Sequence, residues 1–296
     1  MTTDSITGYL AHLRAALEGS DPAIIQDALS DAEEHLRSAL ESKQVTQVDS
    51  SEAEALQSII AEYGTPEEIA DAYREIEAYT RPIWTSTDSQ KKGNILTRFF
   101  STFINPQAWG ALVYLLISMI TGLLYFCWAF IGVSTSLVFA LFIFGLPLAA
   151  FFLLSIRGVA LVEGRIVEAL LGIRMPRRTI FTPANMKWYE RLWAQLKDKQ
   201  TWMILVYMFL QGVLGYFYFM VFMLLIATAL MAMVVPVLSG LGLPIVTFND
   251  AHYFVPVVWL PLTISIGILL ATVTMHIAKF VGKWHGRYAK FMLVGE

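Results

Sequence analysis

Trp109–Phe126 reads W-G-A-L-V-Y-L-L-I-S-M-I-T-G-L-L-Y-F, and 93 positions further on Trp202–Phe219 reads W-M-I-L-V-Y-M-F-L-Q-G-V-L-G-Y-F-Y-F. The two stretches align without a gap. Trp109 falls on Trp202, Leu112-Val113-Tyr114 on Leu205-Val206-Tyr207, Gly122 on Gly215, and Tyr125-Phe126 on Tyr218-Phe219. A second echo follows each copy, Glu163-Gly164-Arg165 in L-V-E-G-R-I-V-E-A-L-L-G and His285-Gly286-Arg287 in W-H-G-R-Y-A-K-F-M-L-V-G. A duplicated unit of two apolar helices with a basic tail is the organisation of an integral membrane module. It predicts an all-α fold and argues against a soluble enzyme.

Composition divides the chain in the same place. Hydrophobic residues make up 56% of the 296 and charged ones 15%, far from a soluble domain. Residues 1–80 hold 17 Asp and Glu against 4 Lys and Arg, whereas 81–296 hold 7 against 17. The net charge of −3 thus conceals an acidic soluble domain (1–80), a linker (81–99) and a basic-flanked membrane domain (100–296) with repeats at 105–178 and 198–296. The single cysteine, Cys127, excludes an intrachain disulfide. The acidic start M-T-T-D-S lacks the apolar core of a cleavable signal peptide.

In the acidic part, periodicity predicts four amphipathic helices. The first carries Ile6, Tyr9, Leu10, Leu13 and Leu17 and stops at Gly19, and the second opens at Asp21-Pro22 and presents Ile25, Leu29, Ala32, Leu36 and Leu40. The third opens with a capping box from Ser51 and closes at Gly64; the fourth opens with Thr65-Pro66-Glu67-Glu68, again a capping box. Asp31 and His35 share one face beside Glu34, and with His12 as a third ligand they would suit a metal. A solvated acidic face explains them more simply, so neither metal nor cofactor is expected. Such a face suits a basic protein partner.

Four segments of the second part have the length and apolarity of a span: Trp109–Ile131, Ser134–Ile156, Trp202–Ile226 and Phe254–Ile277. Gly132-Val133 reads as a tight turn, Gly145-Leu146-Pro147 as a kink, and 227–250 as an extra re-entrant or outer-surface element interrupted by Pro236, with a fifth span as the alternative. Lys and Arg gather before the first span, between the second and third, and after the last, which places the N-terminus, middle loop and C-terminus in the cytoplasm. Both repeats then start on one side, and their relating axis runs along the membrane normal. Arg157–Ile173 and Lys279–Val294 read as amphipathic segments along the interface, with Glu163, Arg165, Arg177, Arg178 and Arg287 as anchors. No Asp, Glu, Lys or Arg falls within the four spans, and His276, near the inner end of the last one, reads as a cap or snorkelling residue, which disfavours a coupled transporter.

Two resemblances sharpen this. The pattern of Tyr9, Leu10 and Leu13, then Asp27, Asp31, His35 and Leu36, then Gly64, Pro66, Glu67 and Ala70 resembles the HAAS domain, a small helical signalling-associated module of bacterial membrane proteins, over about residues 4–77. N-P-Q-A-W-G-A-L-V-Y-L, L-V-E-G-R-I-V-E-A-L-L-G-I-R-M-P and the second W-x-x-L-V-Y-x-x-L resemble the bacterial "putative sensor" membrane family over about 100–296. The resemblance implies a multi-pass protein of the bacterial inner membrane, of a kind found ahead of histidine kinases or beside small helical domains.

The expectation is a non-enzymatic sensor or regulator that couples a membrane-proximal signal to a cytoplasmic partner through its helical domain. No kinase, Gly-rich ATP motif or helix-turn-helix is present, so output passes through a separate kinase, transcription regulator or transporter rather than directly to nucleic acid. A homo-oligomer is compatible with this. The alternatives are a transport accessory or small permease subunit and, third, a membrane enzyme, for which no nucleophile–base set is seen. Tyr125, Trp128, Tyr218, Asp250, His252 and Tyr253 form the candidate site for an apolar ligand or lipid, set against an interfacial aromatic belt.

Overall fold

The computed structural model describes residues 5–46, 52–80, 94–139, 145–178, 187–243, 246–248, 251–253 and 256–294. The chain begins with α1 (Ile6–Ala16), α2 (Pro22–Thr46), α3 (Glu52–Tyr63) and α4 (Pro66–Thr80). Local signals set these boundaries. Ser5 Oγ accepts from the Gly8 amide at 3.1 Å, Asp21 Oδ1 accepts from Ala23, and Gly64 leaves α3 at φ +116°. Thr65 and Glu68 satisfy each other's amides as the expected capping box. Tyr9, Leu13, Leu17 and Leu36 are buried at the centre with Leu56 and Ile59. The Tyr9 hydroxyl donates to the Gly64 carbonyl at 2.9 Å and ties the first helix to the third turn.

Beyond it come α5 (Ile95–Phe100), α6 (Pro106–Phe139), α7 (Gly145–Leu171), α8 (Trp188–Lys197), α9 (Lys199–Gly240), a two-stranded antiparallel hairpin of β1 (Val246–Phe248) and β2 (Ala251–Tyr253), and α10 (Leu260–Leu293). Three of these helices, α6, α9 and α10, are long and apolar enough to cross a membrane, with mean hydropathies of 2.0, 2.7 and 1.8 over their most apolar stretch. At 42 residues, α9 is about 63 Å long.

Glycines reveal how these helices run. Gly110 of α6 lies against the Leu170 carbonyl of α7 and Gly132 against Phe152, so α6 and α7 are antiparallel. Gly267 of α10 lies against Met233 of α9, and Gln200 reaches Leu293, so that pair is antiparallel as well. Between the repeats, Gly122 packs on the Gln211 carbonyl and Gly215 on the Ser118 carbonyl. Under the 93-residue echo these two contacts are one contact made twice, because Gly122 matches Gly215 and Ser118 matches Gln211. The first helices of the two copies therefore meet head to tail. Accordingly α6 and α10 run in parallel, with Ala111 beside Gly282 and Tyr114 beside His285.

Several expectations change. Upright repeats that both start on one side would place α6 and α9 in parallel, and they are antiparallel. The pair contact of Gly122 and Gly215, which allows backbone-to-backbone approach, sets that direction. No turn forms at Gly132-Val133, because α6 continues to Phe139, where Gly132 gives room to Phe152. Gly145-Leu146-Pro147 opens α7 instead of kinking it, since proline is tolerated in a first turn. Residues 227–240 are neither re-entrant nor a separate span. They continue α9 through a buried Pro236 to Gly240, and Gly242 at φ +80° ends the run. The amphipathic stretches at 157–171 and 279–293 are the C-terminal halves of α7 and α10. The end of the 81–99 linker is helical, as α5. Ser51, residues 81–93 and Asp250 lie outside the described residues.

Candidate functional site: a buried polar centre and a charged seam

Glu163 faces inward from α7 and is 1% exposed. Its Oε1 accepts from the hydroxyls of Tyr114 on α6 (2.6 Å) and Tyr207 on α9 (2.8 Å), and Oε2 accepts from Tyr125 on α6 (2.9 Å). Gln211 donates through Nε2 to the Tyr114 hydroxyl at 3.3 Å. On α10, His285 is fully buried, with the Tyr218 hydroxyl 3.3 Å from Nδ1 and the Tyr207 hydroxyl 3.5 Å from Nε2. The duplication produces this arrangement. Tyr114 and Tyr125 stand to Glu163 as Tyr207 and Tyr218 stand to His285, an acid in one copy matched by a base in the other.

A buried carboxyl needs partners, and here three phenols supply them. Tyr125, Glu163, Tyr207, His285 and Tyr218 form one chain of polar contacts through the middle of the domain. Gln211 Oε1 and the Tyr288 hydroxyl are buried beside it without a hydrogen-bond partner among the described residues. Such a chain can hold or relay a proton. Among the described residues no three His, Cys, Asp or Glu side chains come together as a metal site would require.

The second feature is the seam between the acidic bundle and the membrane domain. Asp27 of α2, 6% exposed, accepts from the amides of Arg177 (2.6 Å) and Arg178 (2.9 Å) through Oδ1, while Arg174 approaches Oδ2 at 3.3 Å. Burial raises the Asp27 carboxyl above its ordinary value, against the two amides and the Arg174 and Arg177 charges, which lower it. Arg178 adds Glu34 (2.6 Å) and Asp31 (2.9 Å), and Lys290 of α10 pairs with Asp21 (2.6 Å). Asp31 also accepts from the Tyr73 hydroxyl at 2.9 Å, and His35 stacks on Tyr63 at 4.5 Å between ring centres. Burial, with the Asp31 charge nearby, pushes the Tyr63 hydroxyl up to about 12.

Among the described side chains, those expected to form an outer aromatic site are not brought together. Tyr125 and Tyr218 are buried, 8% and 6% exposed, and aim into the polar centre. Trp128 faces outward, its indole N–H donating to Ser155 at 2.9 Å. His252 and Tyr253 lie on β2, opposite Thr247 and Val246, near the α9–α10 turn. The inward turn of Tyr125 and Tyr218 separates them from the outward-facing Trp128.

Among the anchors, Glu163 is a correction: it is buried, because α7 turns this face onto α6 and α9. Arg165 is exposed and pairs with Glu168 at 3.1 Å, and Arg287 is exposed on α10. Arg177 and Arg178 hold the bundle. The sequence reading missed Glu163 as a hub, although one signal was present: the aligned echoes place Glu163 and His285 at one position, each before a glycine and each after a pair of matched tyrosines.

Long apolar helices around a buried polar centre, with a small acidic bundle docked on their basic segments, define an α-helical membrane protein with an appended helical domain. The family described as "Putative sensor" matches residues 114–293, and the chain belongs to that family. The match covers the polar centre from Tyr114 onward. No curated protein and no solved structure matches the chain.

Proposed function

We propose that this protein is a non-enzymatic sensor or regulator of the bacterial inner membrane, which passes a membrane-proximal signal to a cytoplasmic partner through its N-terminal bundle. The seam carries this reading. Asp27, Asp21, Asp31 and Glu34 hold the bundle on Arg174–Arg178 and Lys290, so any shift of α7 against α10 is felt by α2. The bundle's HAAS-like residues, Asp27 and Asp31 among them, are the ones engaged. Releasing the seam would expose that acidic face to a basic partner, a kinase, transcription regulator or transporter.

The basic segments that follow both hairpins gather around the bundle, and the positive-inside rule puts that side, with both termini, in the cytoplasm. Both hairpins enter the bilayer from it, giving four embedded helices. Since α6 and α9 are antiparallel, the hairpins enter obliquely, not upright. Cysteine labelling in a Cys127-free background should reach Asp250 from outside and Lys187 only from inside. Outside labelling at Lys187 would overturn the orientation. For the signalling reading, hydrogen exchange at α2 and Arg174–Arg178 in nanodiscs should rise when bilayer thickness or charge is altered. Exchange that ignores the bilayer would refute the coupling.

One observation favours the transport reading over the sequence-based argument against it. Glu163 and His285 are ionisable groups buried among the apolar helices, where such groups commonly mark ion or proton paths. Proton uptake by reconstituted vesicles, lost in Glu163→Gln, would support that rival.

A further inference from the structure

Beside the seam, α10 carries Lys279, Lys283, Arg287 and Lys290 on one helical face. These four cations line a cavity of about 430 Å³, closed on its other side by Asn105 and the Leu171–Ile173 turn. A carboxylate, Asp21, reaches Lys290, but among the described residues none pairs with Lys279, Lys283 or Arg287. Gly282 brings the floor close: a side chain there would press on Ala111 and Leu171. Concentrated positive charge of this kind, in a walled cavity of ligand size, is a receptor for an anion.

The neighbouring face of the same helix indicates which anion. Phe280, Trp284 and Phe291 are 74%, 56% and 65% exposed and follow one stripe, a quarter-turn away from the cations. An anion that binds here has an apolar surface beside it, running toward the apolar half of α10. A soluble phosphate would use the cations and leave the stripe bare, whereas an acylated phosphate would use both.

We propose that this cavity is a binding site for the phosphate headgroup of an anionic phospholipid, with its chains along Phe280 and Trp284. Arg287 and Lys290 also line a second cavity, of about 790 Å³, between the bundle and α9–α10. Lys290 is therefore shared: it holds Asp21 of the bundle and closes the lipid site. A headgroup that draws Lys290 away loosens one end of the seam.

The test uses the full chain in neutral detergent, titrated with phosphatidylglycerol, phosphatidylcholine or inorganic phosphate, with bound lipid read by native mass spectrometry. Phosphatidylglycerol should be retained over phosphatidylcholine. Lys283→Gln with Arg287→Gln should weaken its binding about thirtyfold, taking each cation at its typical worth beside anionic lipid. Lys43→Gln, on α2 and bonded to Ser58, should leave binding unchanged and controls for net charge. An intact melting transition in the double variant shows that the fold survives; should it not survive, Lys283→Gln alone is read, with about a fivefold loss expected. Equal retention of the two lipids, or unaltered phosphatidylglycerol binding in a folded variant, would overturn the site. Displacement of the lipid by millimolar phosphate would reassign it to a soluble ligand and overturn the lipid assignment.

Discussion

Alanine at Gly122 or Gly215 should force α6 and α9 apart. A Cβ on Gly122 would lie 2.9 Å from the Gln211 carbonyl carbon, and one on Gly215 would lie 2.6 Å from that of Ser118, with each carbonyl oxygen closer still. Ordinary contact begins near 3.4 Å, and the oxygens lie well inside it, so the backbones must separate by about 1 Å, which forfeits roughly half of the packing attraction along that contact. No side chain can swing aside, because the obstacle is main chain on both helices. Overpacking of this kind costs about 1–3 kcal/mol, or roughly 2–12 °C in melting temperature for a domain of this size. The separation also strains the bonds by which Tyr114 on α6 and Tyr207 on α9 share Glu163 Oε1. The double variant should cost less than the sum of the singles, since one separation relieves both clashes. Thermal unfolding in detergent, with the full double-mutant cycle, measures this. Single variants that melt within about 1 °C of the parent would refute the head-to-tail packing of the repeats.

Glu163→Ala should destabilise more than Glu163→Gln, because it orphans three phenol hydroxyls, each worth about 1–3 kcal/mol when left unpaired; equal melting shifts would remove Glu163 as the hub. At the seam, the raised value of Asp27 means that the docked bundle binds a proton more tightly than the released one. This contribution to docking is present below the ordinary carboxylate value and is lost as pH rises through the raised one. Asp27→Asn keeps the Oδ1 acceptor for both Arg amides, so it should remove this slope and protect α2 from exchange at neutral pH better than Asp27→Ala. The same slope in wild type and Asp27→Asn would count against it. The half-exposed Arg178–Glu34 pair should contribute under about 1 kcal/mol and fade in roughly 0.5 M salt, while protection around Asp27 persists; loss of both together would show the seam to be mere surface charge.

Sequence alone determined the division of this chain and the membrane character of its second part. Charge and hydropathy are sums over residues, and they need no knowledge of who touches whom. Helix boundaries at Gly19, Gly64 and Thr65–Glu68 were likewise legible, because capping chemistry acts within four residues. The duplication was also visible, and it fixed which residues are equivalent. It could not fix how the copies are oriented, since a two-fold repeat is compatible with parallel or antiparallel first helices. Backbone approach at Gly122 and Gly215 decided that. This packing then carried Tyr125 and Tyr218 from an imagined outer belt to the centre, and turned Glu163 from the interface onto three tyrosines. Those tyrosines come from two helices, as far as 49 residues from it in the chain. A local amphipathic pattern could show that Glu163 differed from its neighbours, but only the assembled helices could supply the hydroxyls that make its burial tolerable.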